Sequence, residues 1–136
     1  MRRYRKNLRT VSFEALEPRN LLAADPIISE FMASNQSTIF DGNGETSDWI
    51  ELYNKGDETV DLAGFGLTDD ALDPYQWIFP STSLNPGEFL LVFASGTDET
   101  DSAGYLHTNF RLSASGEHLR LTDLLATLVS EFAADG

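Results

Sequence analysis

Along residues 25–136 the apolar side chains come in short segments separated by Gly, Pro, Asn and Asp, and no stretch holds apolar residues at helical spacing for long. The segments are rich in β-branched and aromatic residues, which fit a pleated, half-buried backbone. This pattern predicts strands over 27–32, 49–54, 59–62, 66–68, 76–79, 88–94, 105–108, 117–122 and 127–132. Thr59-Val60-Asp61-Leu62 and Leu119-Arg120-Leu121-Thr122 alternate with period two, so each has one buried face and one wet face. Phe89-Leu90-Leu91-Val92-Phe93-Ala94 has no polar face and reads as a central strand covered on both sides. Asn54-Lys55-Gly56-Asp57 is turn chemistry between two strands. Asn85-Pro86-Gly87 suits a type II turn, with Pro fixing φ at the first central position and Gly supplying a positive φ at the second. Many short strands with hairpin links and almost no helix predict an all-β domain, a sandwich or a small barrel, and the length of this body suits a sandwich.

The chain has 136 residues, 41% of them apolar and none of them cysteine. That is one domain's worth of sequence, with enough apolar content for a working core. No disulfide framework and no cysteine-ligated zinc site is possible. The longest apolar runs, Leu21 to Ala24 and Phe89 to Ala94, fall far below the ~20 residues that cross a bilayer as a helix. Charge divides the chain unevenly. Residues 1–24 carry six Lys and Arg against two acids, whereas residues 25–136 carry only Lys55, Arg111 and Arg120 against twenty acids. A basic head on an acidic body marks a targeting segment or interaction tail, so residues 1–24 are expected to be a flexible extension outside the fold and 25–136 the folded domain.

The head has the charged start of a secretory signal and small residues at Leu22-Ala23-Ala24, but no apolar stretch of signal-peptide length lies between them. Residues 13–24 nevertheless resemble the LEPRxLL segment that opens large extracellular proteins of planctomycete-type bacteria. The match is Leu16-Glu17-Pro18-Arg19-Asn20-Leu21-Leu22, preceded by Phe-Glu-Ala and the basic run. This resemblance implies export to the cell surface or beyond. It also suggests that the chain, which ends on the hairpin-like Ala134-Asp135-Gly136, is a fragment of a longer protein.

The body resembles the lamin-tail domain in its bacterial form. The likeness is carried by the stretches from Ile28 to Asn35, Asp41 to Asn54, Val60 to Asp69, Trp77 to Pro80, Leu84 to Ser95 and Leu106 to Ser113, in that order. It implies an immunoglobulin-like β-sandwich that serves as an accessory or interaction module and has no common catalytic activity.

The residues offer little catalytic chemistry. His107 and His118 sit in no metal-ligating frame, no G-x-S-x-G elbow occurs in Leu112-Ser-Ala-Ser-Gly116, and neither glycine-rich phosphate motif is present. His107 is expected at a sheet edge and His118 beside a turn, both dispensable. An acidic body with three cations repels phosphate, which argues against nucleic acid as a partner. Asp41, Asn43, Glu45 and Asp48 could offer oxygen ligands to calcium on a glycine-bearing loop, although the EF-hand frame is broken at Glu45 and Thr46 and the same residues make an ordinary solvated turn. Asp69, Asp70 and Asp73 read as a polar loop. Tyr75 and Trp77 could stack on sugar, but Trp49 and Trp77 are expected in the core. Asn35-Gln36-Ser37 matches a glycosylation sequon, which carries little meaning in a bacterium.

The sequence thus predicts a non-catalytic, cofactor-free structural or adhesive module of an exported protein, contacting a protein or a cell-surface polymer. The alternative is a calcium-dependent ligand- or carbohydrate-binding module on the same fold.

Overall fold

The computed structural model describes residues 2–5, 23–33, 39–113 and 118–133. These residues form eleven strands: β1 (Arg2–Arg5), β2 (Pro26–Ala33), β3 (Asp48–Asn54), β4 (Val60–Asp61), β5 (Gly66–Thr68), β6 (Trp77–Ile78), β7 (Ser83–Leu84), β8 (Phe89–Ala94), β9 (Leu106–His107), β10 (His118–Thr122) and β11 (Leu128–Ala133). Among the described residues there is no helix. A five-stranded sheet runs β1-β2-β3-β8-β9, a four-stranded sheet β11-β10-β5-β6, and β4 pairs with β7. All pairings are antiparallel except β8 with β9.

The core lies between the two larger sheets. Ile28, Phe31 and Ala33 of β2, Ile50 and Leu52 of β3, and Val92 and Ala94 of β8 meet Leu67, Trp77, Leu119, Leu121 and Phe132 from the opposing sheet. Strict alternation would put Ile28 and Phe31 on opposite faces of β2, since they are three residues apart. A bulge between Ile28 and Glu30 absorbs Ser29, whose hydroxyl donates to Glu51 Oε1 at 2.8 Å, and so both apolar side chains reach the core. The two sheets are also joined by Ile28 N–H donating to Ser130 Oγ at 3.0 Å. On the far side of the five-stranded sheet Met32, Trp49 and Phe93 form a smaller apolar cluster under Ile39.

Several expectations hold. Both tryptophans are buried, and Asn85-Pro86-Gly87 makes its turn with Gly87 at φ 76° and Glu88 N–H donating to the Asn85 carbonyl at 3.0 Å. Others are corrected. The basic head is not wholly outside the fold, because Arg2–Arg5 lines up along β2 from Arg2 opposite Ala33 to Arg5 opposite Glu30. Strand pairing uses backbone groups, which net charge does not report. β8 is internal to its sheet, but Phe89 is exposed and Leu90 and Leu91 are only half-buried, since β9 reaches only as far as Val92 and Phe93. The strand covered along its whole length is β2, despite Ser29 and Glu30. β7 was not expected, its two residues being too few for any period to show.

Candidate functional site

At one end of the sandwich two loops meet, residues 41–47 before β3 and residues 95–105 between β8 and β9. Asp41 organises the first. Its Oδ1 accepts the N–H groups of Asn43 at 2.9 Å and Glu45 at 3.0 Å, and Ser47 Oγ donates to its Oδ2 at 3.1 Å. Asp101 organises the second in the same manner, its Oδ1 accepting from Ala103 N–H at 2.9 Å and Tyr105 N–H at 3.1 Å. Both are short polar side chains satisfying a turn's own backbone.

Asp101 also joins the loops. Its Oδ2 accepts from Gly42 N–H at 2.7 Å and faces His107 Nε2 at 2.8 Å, while His107 Nδ1 lies 2.7 Å from Ser95 Oγ. The side chains of Asp101 and His107 are fully buried, with the imidazole stacked on Phe93. Burial pushes the Asp101 carboxyl up, but hydrogen bonds from His107, Gly42, Tyr105 and Ala103 outweigh it and hold the group down at about 2. An ionised carboxylate only accepts, so the proton of a neutral His107 sits on Nε2 and Ser95 donates to Nδ1. Gly42 is required at the junction, since a Cβ there would fall 2.2 Å from Asp101 Oδ1. Asn43 Nδ2 donating to Glu99 Oε2 at 3.0 Å and Leu112 N–H donating to Asp48 Oδ2 at 3.1 Å complete the seam.

The chain Asp101, His107, Ser95 has the connectivity by which a serine is activated for attack, with the imidazole reversed relative to the common form. Its surroundings do not serve that chemistry. Ser95 Oγ also receives Thr97 N–H at 3.2 Å and contacts Thr97 Oγ1 at 2.8 Å, which uses the remaining capacity of the hydroxyl. The adjoining cavity, about 250 Å³, is lined by Ser95 and His107 together with Asp41, Glu45 and Asp48, the wrong sign of charge for a developing oxyanion. Arg111 is at the same cavity. The arrangement works as a buried clasp between loops.

The four residues considered for calcium, Asp41, Asn43, Glu45 and Asp48, do line this one cavity. His107 stands on edge strand β9 as expected, and its ring is buried there between Asp101 and Ser95. His118 is exposed and bonded to Glu131. Trp77 donates to Asp98 Oδ1 at 3.1 Å from within the core, so its ring offers no sugar platform. Leu16, Glu17, Pro18, Arg19, Leu21 and Leu22 lie outside the described residues, as do the sequon and the Ala134-Asp135-Gly136 end.

Two packed sheets, with connecting loops joined by the Ser95, His107 and Asp101 hydrogen bonds, define an immunoglobulin-like β-sandwich. The Lamin Tail Domain profile matches residues 22–134, most of the chain, and the protein belongs to that family. A search of curated proteins gave no match. Among the described residues no helix is long and apolar enough to cross a membrane.

Proposed function

We propose that the chain is a structural or adhesive module of an exported protein, acting at the cell surface or outside the cell by presenting fixed loops to a protein or surface polymer. The observation that carries this reading is the stitching of residues 41–48 to 95–112 by hydrogen bonds across long sequence separations, which makes the loop end a rigid display surface. Rigid loops lose less conformational entropy on contact. The LEPRxLL match at Leu16 to Leu22 supports the export component. A reporter fused after Asp25 and expressed in a planctomycete-type bacterium is expected outside the cytoplasm. Cytoplasmic retention overturns export.

The calcium-dependent alternative draws on the four oxygen-bearing side chains around one cavity. Against it, the Asp41 carboxylate already accepts three hydrogen bonds, and among the described residues no three His, Asp or Glu side chains are grouped to hold a metal ion. Thermal melts in millimolar calcium and in chelator are therefore expected to coincide. A calcium-dependent rise in Tm that disappears in Asp41→Ala would establish the alternative instead, because a ligand that binds only the folded state raises its stability.

A further inference from the structure

Three leucines stand out into solvent on two neighbouring loops: Leu72, 93% exposed, in the loop between β5 and β6, and Leu124 and Leu125, 65% and 84% exposed, in the turn between β10 and β11. The turn is built, not slack. Asp123 Oδ1 accepts the N–H groups of Leu125 at 2.9 Å and Thr127 at 3.0 Å, and Ala126 is held at φ 64°, a left-handed conformation that a Cβ disfavours. Tyr75 from the other loop fixes this conformation, its hydroxyl donating to the Asp123 carbonyl and accepting from Ala126 N–H at 3.0 Å. Asp70 does for Leu72 what Asp123 does for Leu125, accepting its N–H at 2.9 Å. The two loops, tied together by Tyr75, are thus one platform that carries exposed apolar side chains, a feature found at interaction sites.

Charge indicates what covers the platform. Its loops carry Asp69, Asp70, Asp73 and Asp123 and neither Lys nor Arg. A second copy would bring the same four carboxylates against these, and an anionic membrane would be repelled likewise. We infer that the acid-rimmed leucine platform is the docking surface of this domain and that its partner is a cationic amphipathic segment of another protein. The apolar stripe of such a segment covers Leu72, Leu124 and Leu125, and its Lys or Arg side chains meet the aspartates. The inference rests on the interaction-module reading and gives that reading a surface and a partner chemistry.

The test uses the whole chain and a synthetic amphipathic helix of Leu and Lys, with a Leu and Glu helix of equal length as control. The cationic helix is expected to bind, with amide-exchange protection concentrated in residues 69–76 and 123–127, and the anionic helix is not. Combining Leu72→Ser, Leu124→Ser and Leu125→Ser should weaken binding roughly tenfold or more. The melt should barely move, since these side chains are exposed. Asp73→Lys, at an exposed position, should weaken binding by itself, and added salt should weaken it further. No binding, protection elsewhere, or undiminished affinity in the triple variant overturns the assignment. So does capture on zwitterionic vesicles that the triple variant loses, which would make the platform a membrane contact. These outcomes are independent of the export reporter, so a failure of either inference is told apart from a failure of the other.

Discussion

Asn54→Ala is expected to destabilise the domain by about 3 kcal/mol, read as a fall in the urea midpoint with an unchanged slope. The side chain is fully buried at the end of β3 and uses both of its ends. Oδ1 accepts from Asp25 N–H at 3.0 Å and Gly56 N–H at 3.0 Å. Nδ2 donates to the Glu58 carbonyl at 2.7 Å and to the Leu84 carbonyl at 3.0 Å. One amide therefore ties the entry to β2, the β3–β4 turn and β7 together, and its backbone N–H and C=O bond to Glu88 O and Gly87 N in addition. Truncation leaves the Leu84 carbonyl without this donor in a dry place, and an unmet buried polar group costs more than a typical exposed bond is worth. Asn54→Asp separates the two halves of the argument, keeping the acceptors while replacing the donor with a charge facing two carbonyls, and it should be at least as damaging as Ala. Asn85→Ala, which removes an exposed bond to Thr59, should cost under about 1 kcal/mol. Equal effects of Asn54→Ala and Asn85→Ala would refute the tie.

Asn54 also shows what could be read in the chain and what could not. Its neighbourhood is a turn, as Asn-Lys-Gly-Asp indicates, because turn chemistry is local and a few residues contain it. The strands were legible for the same reason. Alternating burial over His118 to Leu121 and the β-branched and apolar content of Ile27 to Met32 act over single residues and report directly on the pleat. The alternation expected to continue to Thr122 fails there, because the register shifts between Leu121 and Thr122 and both are buried. What the amide of Asn54 reaches is not local: Asp25 lies 29 residues before it and Leu84 30 after. The candidate site is hidden in the same way. Gly42 and Asp101 are 59 positions apart, and Ser95, His107 and Asp101 follow no known catalytic spacing, so only the fold brings them together. Within the site the legible part was the acidic loop, since Asp41-Gly-Asn-Gly announces a turn by composition. The participation of Arg2–Arg5 in a sheet was illegible because charge dominates that segment while pairing depends on the backbone.

Acid titration is expected to expose the clasp at Asp101. With its carboxyl held at about 2 in the folded protein against an ordinary value of 3.8, the unfolded chain binds the proton first as pH falls. The contribution of this group is therefore fully present above about pH 4 and is lost progressively as pH drops through that window towards 2. Asp101→Asn removes the titrating group, so the stability gap between the parent and the variant should be wide at neutral pH and should narrow between pH 4 and pH 2. The variant cannot simply substitute one acceptor for another. With its nitrogen at the Oδ1 position it faces the N–H groups of Ala103 and Tyr105, and at the Oδ2 position it faces Gly42 N–H, so every orientation sets donor against donor. His107→Ala opens the clasp from the other side, removing a buried ring stacked on Phe93 and one of the donors to the carboxylate, and should cost about 2–4 kcal/mol at pH 7. Ser95→Ala removes only the outer hydroxyl and should cost about 1 kcal/mol. That ordering, with His107 far above Ser95, is the signature of a structural clasp. A nucleophilic serine would instead leave stability nearly untouched in Ser95→Ala while abolishing labelling of the parent chain by a fluorophosphonate, and such labelling would overturn the structural assignment. A parent–variant gap for Asp101→Asn that stays constant from pH 7 to pH 2 would show that the carboxylate is not held ionised by its four donors.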